Sequence, residues 1–139
     1  MATTRRATAV WNGSLFEGGG EVTLASSGLG TYAVSWPARA EEPNGVTSPE
    51  ELIAAAHASC YSMALSNGLA KGGTPPAELR TAVEVDFVPG TGITEIRIAV
   101  SGDVPGLDAE GFAAAAAAAK EGCPVSKALA AVPIVLTVA

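Results

Sequence analysis

Two cysteines and one histidine are the residues of this sequence best suited to chemistry. Cys60 and the single histidine, His57, stand in AHASCYSMALS (residues 56–66), a run of small and apolar residues, and Cys123 stands in GCPVSKA (residues 122–128). A thiolate is a nucleophile, a redox centre and a metal ligand, whereas an un-ionised cysteine packs as a small apolar group. Both readings apply to Cys60. It falls deep inside a predicted helix, where the dipole at the helix start gives no help, so as a nucleophile it needs a nearby cation to lower its pKa.

Cys123 has a different setting. Gly122 ends one predicted helix and Pro124 opens the next turn, which leaves Cys123 at an N-cap, where free amides favour a thiolate. A second thiol of that kind makes a pair cycling between thiols and disulfide conceivable, although the two lie far apart in the chain and only the fold can join them. His57 precedes Cys60 by three residues, on a neighbouring part of one helical face. A Cys-His nucleophile pair, or metal ligation with Cys123 and an acid, can be drawn from these residues. There is no CxxC and no HxxxH, so no metal is expected and His57 reads as a core histidine held by hydrogen bonds. The glycines of EGGGEV and SGLG lack GxGxxG and any following GK[ST], and read as turns rather than a phosphate loop.

The elements that must position these groups are legible in the pattern. ATAVW, EVTLAS and TYAVSW, separated by the Gly-rich breaks NGSLFEGGG and SGLG, read as three short strands joined by hairpins. ARAEEPNGVTS (residues 38–48) reads as a loop. Ser48 is the expected N-cap of a long helix, with Pro49 first and Glu50 and Glu51 in its opening turn. That helix is expected to run to about Gly68, and its residues leave little polar face, so it should be covered on most sides. TAVEVDFV and ITEIRIAVS alternate with period two about PGTG, a hairpin with Val83, Val85 and Phe87 on one face and Ile96, Ile98 and Val100 on one face of its partner. Asp108 caps a further helix through the alanine run to Gly122, VSKALA forms a helical turn, and IVLTV closes as a strand. The order is that of an α+β fold, not a doubly wound one.

The totals bound the function classes. The chain has 139 residues, enough for one domain with its own core, and no second domain is expected. Apolar residues are 48% and charged residues 16%, which fits a globular chain. A net charge of -6 argues against nucleic acid, which is held by clustered Lys and Arg. No stretch reaches the roughly 20 apolar residues that span a bilayer, and the N-terminus lacks a signal-peptide core. A cytoplasmic protein with free thiols is expected.

TSPEELIAAAHASCYSMALS (residues 47–66), followed by AKEGCPVSKAL (residues 119–129), resembles the two signature segments of the OsmC/Ohr family of thiol-dependent peroxidases, in its OsmC branch. The resemblance implies an OsmC-like fold, with antiparallel sheets around a long central helix in an intertwined homodimer. It also implies a peroxidase without a cofactor. Cys60 matches the cysteine that attacks the peroxide and becomes a sulfenic acid. Cys123 matches the resolving cysteine, which condenses with it to a disulfide that a thiol or dithiol reductant restores. Glu50 matches the glutamate at the family's helix start. Arg39, in the loop before it, matches the arginine that pairs with that glutamate and presents its charge to the Cys60 thiolate.

Glu50 and Cys60 are ten positions apart on one predicted helix, about 15 Å along its axis, so if they serve one site Glu50 must come from a second chain. The small residues from Ala54 to Ala58 permit two such helices to lie close. A thiolate reached past Leu, Met, Tyr61 and Ile should favour organic hydroperoxides over hydrogen peroxide, since burial contributes roughly 0.8 kcal/mol per methylene. The rival readings are a metal or Cys-His hydrolase and a small-ligand or interaction module with spectator cysteines.

Overall fold

The computed structural model describes residues 1–139. Two compact units are distinguished, Met1–Leu52 and Ile53–Ala139. The first holds an antiparallel sheet in the order β1 (Thr8–Asn12), β2 (Gly19–Thr23), β3 (Thr31–Val34). Strand β2 begins at Gly19 and ends at Thr23, so part of the expected break is strand and part of the expected strand is turn. The reason is local: a Cβ on Gly20 would lie 2.4 Å from the Val10 carbonyl oxygen and 2.8 Å from the Trp11 ring, so only glycine admits the close approach of β1. Val10, Trp11, Leu15, Phe16 and Tyr32 remain exposed.

The expected loop at residues 38–48 is partly helical. A short helix, α1 (Trp36–Ala40), carries Arg39. Ser35 caps it, accepting from the Ala38 N–H, and Pro37 sits in its first turn. The Ser-x-Pro start is the signal that the loop reading passed over.

Helix α2 (Pro49–Lys71) starts as expected, with Ser48 Oγ accepting from the Glu51 N–H at 3.2 Å. It runs three residues beyond Gly68, because the glycine lies in the helix without meeting any obstacle and the break falls at Gly72-Gly73. Beyond Leu52 its inner stripe is His57, Tyr61, Leu65 and Leu69, all buried at a spacing of four. The covering expected on most sides is not supplied within the single chain. Ala55, Ala56, Ser59, Met63, Asn67 and Ala70 form an exposed outer stripe, with Met63 at 71%.

In the second unit, β4 (Glu78–Val88) and β5 (Gly92–Asp103) form the expected hairpin, with Val83 opposite Ile98 and Val85 opposite Ile96. A bulge at Asp86/Phe87 shifts the register beyond that point. Helix α3 (Ala109–Gly122) and the short α4 (Pro124–Ala128) follow, and because this helical crossover carries the chain back, β6 (Ile134–Val138) runs parallel to β5, so the second sheet is mixed rather than antiparallel as expected. Helix α2, the sheet and α3 share one core of Tyr61, Leu65, Leu69, Ile98, Val100, Phe112, Ala116, Ala119 and Cys123. Each large apolar side chain buried there contributes about 1.5–3 kcal/mol over its exposed state. The Tyr61 hydroxyl donates to the Ala116 carbonyl at 2.8 Å, and Ser62 Oγ donates to Thr81 Oγ1 at 2.8 Å, which pins α2 to α3 and β4.

Asp108 caps α3 through a 2.7 Å bond from the Gly111 N–H. Asp108→Ala is expected to lower stability by about 1 kcal/mol, read as a lower denaturant midpoint with unchanged slope. An unchanged midpoint would mean that α3 is held by its packed face alone.

Candidate active site

Cys60 and Cys123 meet. Their sulfurs lie 3.3 Å apart as free thiols, although 63 positions separate them. The stripe that buries Tyr61 and Leu65 turns Cys60 to the flank of α2, toward α3 and α4, and the break at Gly122-Cys123-Pro124 sets Cys123 against it. A disulfide is about 2.05 Å long, so bonding the two needs little over an ångström of motion. The two differ in access. Cys123 is wholly buried, whereas Cys60 lines a cavity of about 690 Å³ with Met63, Ala64, Asn67, Ala119 and Pro124.

Their ionisation differs as well. Burial pushes the Cys60 thiol above its usual range; the Val125 N–H works against that, and the neighbouring Cys123 adds to it. Burial also acts to raise Cys123, but the Ser126 N–H, the Cys60 side chain, the Ser126 hydroxyl and the Val125 N–H outweigh it and bring Cys123 below its usual range. This agrees with the N-cap expectation for Cys123 and with the need of Cys60 for an added cation.

Arg39 and Glu50 form a second pair, in the first unit. Arg39 Nε donates to both carboxylate oxygens of Glu50, at 3.0 and 3.2 Å, and Arg39 Nη2 donates to Oε2 at 3.0 Å. This is a two-pronged clasp of the kind that fixes a guanidinium plane. Glu50 is buried, while Arg39 keeps part of its surface open on the wall of an apolar cavity of about 420 Å³, with Trp11, Leu15, Val34, Trp36 and Pro49.

His57 is buried with Nε2 at 2.7 Å from Ser126 Oγ, and burial lowers its pKa. The expectation of a core histidine held by hydrogen bonds is met at Nε2 only, because Nδ1 has no partner. Ser126 is the residue that the sequence reading missed. Its only signal was its place three residues after Cys123, in the first turn of α4. No group of three or more His, Cys, Asp or Glu side chains is placed to hold a metal ion, and no helix is long and apolar enough to cross a membrane.

Residues 42–138 match the family model described as OsmC-like protein, a span that takes in Glu50, Cys60 and Cys123 and begins after Arg39. The chain is 39% identical over 132 residues to a protein named Peroxiredoxin OsmC from Escherichia coli (strain K12), covering 93% of this chain and 92% of that relative. A structure described as an organic hydroperoxide resistance protein OsmC from Legionella pneumophila superposes with a TM-score of 0.72 at 25% identity, over 99% of each chain. An OsmC-like protein from Vibrio cholerae shares the fold at a TM-score of 0.76 and 14% identity, over 99% of this chain and 100% of the other.

Proposed function

Because the chain belongs to the OsmC-like family, we propose that it is a cysteine peroxidase that reduces organic hydroperoxides, and hydrogen peroxide more weakly, through a Cys60–Cys123 disulfide. The observation that carries this is the sulfur pair: two thiols in contact at 3.3 Å, one open to a cavity and the other wholly buried. A peroxide arriving from solvent reaches Cys60 first. The Cys60 sulfur attacks the terminal peroxide oxygen, the O–O bond breaks, and the alkoxide leaves and takes a proton to become the alcohol. Cys60 is then a sulfenic acid. Cys123 attacks it, the S–O bond breaks, and the hydroxyl leaves as water with the proton that Cys123 gave up. Two reductant thiols return the disulfide to the starting pair and become a disulfide themselves.

Arg39 supplies the missing cation. Glu50 and Cys60 are ten residues apart on α2, about 15 Å of helix, so the Arg39–Glu50 clasp that meets Cys60 comes from a second copy of the chain. A homodimer of single-domain chains is supported by the exposed small-residue stripe of α2 and by the exposed Trp11, Phe16 and Tyr32. The apolar wall beside Arg39 would then hold the alkyl or aryl part of the peroxide, with the guanidinium at its polar end.

The test is to add cumene hydroperoxide to reduced protein, count thiols and map the disulfide. Loss of two thiols with a Cys60–Cys123 bridge is expected, with a higher kcat/KM for cumene hydroperoxide than for hydrogen peroxide. Unchanged thiols would sink the peroxidase; equal kcat/KM values would remove only the preference for organic peroxides.

A further inference from the structure

The chain has two tryptophans, Trp11 and Trp36, and both line the same cavity. Neither fills a core: within the first unit only Ala38 and Glu50 are buried, and Trp11 is 41% exposed. Tryptophan is ordinarily among the more buried residues of a fold, so two indoles at one opening call for an explanation other than packing. The cavity measures about 420 Å³ and lies wholly within the first unit. Besides the indoles, Leu15, Val34 and Pro49 wall it, with Ser35 and Arg39 as its polar groups.

Each indole is held in place. Trp11 stands in β1 opposite Gly20 of β2, and its ring lies so close over that glycine that a Cβ there would come within 2.8 Å of it. Its Nε1–H donates to the Gly13 carbonyl at 3.0 Å, which fixes the orientation of the ring. Trp36 opens helix α1 directly after the Ser35 cap, and Phe16 meets it edge to face, with ring centroids 5.7 Å apart and planes at 90°. Phe16 and Leu15 belong to the turn between β1 and β2, which the Gly18 N–H closes by donating to the Ser14 carbonyl at 2.8 Å. The aromatic surfaces are thus set before anything binds, and a pre-formed site loses less in ordering its own side chains.

Two held aromatic surfaces favour a flat ring. Aromatic rings gain from offset or edge-to-face contact beyond the burial of their area, a gain that a puckered saturated ring or an alkyl chain lacks. Of the polar groups on the wall, Ser35 Oγ is engaged in capping α1, where it accepts from the Ala38 N–H. The Arg39 guanidinium, gripped by Glu50, is therefore the charged end of an otherwise apolar cleft. Such a cleft suits an occupant with a flat apolar body and one polar end. A hydroperoxide bearing an arene has both.

We propose that Trp11 and Trp36 determine specificity at the peroxide site: the two indoles take up the ring of an arylalkyl hydroperoxide and leave its O–O group at the Arg39 end. This rests on the peroxidase reading and narrows its substrate class from organic hydroperoxides at large to those carrying an aromatic ring. The cleft acts on binding, and the reaction is the one already given.

The experiment has two arms. The first measures kcat/KM of the wild-type protein for cumene hydroperoxide and for its saturated analogue, in which cyclohexyl replaces phenyl. The ratio is expected to favour the arene by about two- to tenfold, the worth of an aromatic contact. Trp36→Leu, which keeps an apolar wall but no ring, lowers the ratio, W11L/W36L brings it near unity, and Trp36→Phe restores it. A general loss of activity lowers both rates and leaves the ratio alone. The second arm titrates the reduced protein with cumyl alcohol, the product of cumene hydroperoxide, and follows tryptophan emission, all of which comes from this cleft. A saturable change is expected, and the cyclohexyl alcohol should be needed at higher concentration. A wild-type ratio near unity overturns the proposal, as does a ratio unmoved in both leucine variants or an emission that cumyl alcohol leaves unaltered. Emission that responds to dilution of the protein and not to the alcohol identifies a second copy of the chain as the occupant, and overturns it too. Should the variants fail to fold, the wild-type ratio and titration still decide. Failure of the peroxidase reading looks different: neither hydroperoxide is then consumed, while cumyl alcohol still binds.

Discussion

Cys60→Ser is expected to lose peroxide consumption by more than about a thousandfold, because a serine hydroxyl stays un-ionised where a thiolate attacks, and removing a nucleophile leaves only residual binding effects. Cys123→Ser is expected to behave differently. It should consume one equivalent of peroxide and stop at a sulfenic acid on Cys60, which a 1,3-diketone traps. The contrast is decisive because the two sulfurs are in contact, Cys123 in the core cluster and Cys60 packed against it, so a general disturbance of packing would affect both variants alike. Consumption that persists in Cys60→Ser would show that the roles are wrongly assigned, and a multiple-turnover Cys123→Ser would mean that the reductant acts directly on the sulfenic acid.

Arg39→Ala is expected to slow the first step by about 10- to 100-fold, the loss of a charge-assisted contact worth about 1.5–3 kcal/mol. Within the chain, burial first and Cys123 last hold the Cys60 thiol above its usual range, with only the Val125 N–H opposing them. A guanidinium presented to the sulfur would reverse that balance. Removing it should therefore move the Cys60 titration upward, so that the rate at neutral pH falls while the rate in alkaline solution recovers. Arg39→Lys keeps charge but not the two-pronged grip on Glu50, and a partial loss is expected. Because Arg39→Ala also strands the buried Glu50 carboxylate, R39A should be compared with R39A/E50Q, in which the stranded charge is removed. If the Cys60 titration is unchanged in both, the activating cation lies elsewhere.

Helix α2 and much of the second unit were legible in the sequence because their signals are local. Ser48-Pro49 and Asp108 mark helix starts by side-chain caps, and both caps are made. The period-two runs about PGTG mark the hairpin, and Val83 and Val85 indeed face Ile98 and Ile96. The first unit was read less well. Helix α1 is a single turn whose only marks are Ser35 and Pro37, and β2 enters through glycines chosen for close approach to Trp11, whereas glycine in a pattern reads as a break.

The meeting of Cys60 with Cys123 had no local signal at all. Nothing within either segment states that α2 and α4 converge; family resemblance carried that expectation, and the fold brings the sulfurs into contact. The outer stripe of α2, expected to be covered, is uncovered within the single chain: Ala55, Ala56, Ser59 and Met63 have the composition of a packed face, and composition does not say which chain packs there. Ser126 went unnoticed because a lone serine carries no periodicity; only the tertiary approach of His57 gives it meaning.

The unequal access of the two sulfurs also bears on the direction of recycling in the proposed cycle. In the proposed cycle an incoming reductant would meet the sulfur that borders the cavity, so that the mixed disulfide forms on Cys60 and Cys123 is expelled. Cys123 would be the better leaving group, since the Ser126 and Val125 amides act to bring it below its usual range. Concealment and acidity on the same sulfur would make the proposed cycle regioselective: Cys60 would be the site at which the outside chemistry enters, as oxidant or as reductant, and Cys123 would exchange electrons with Cys60.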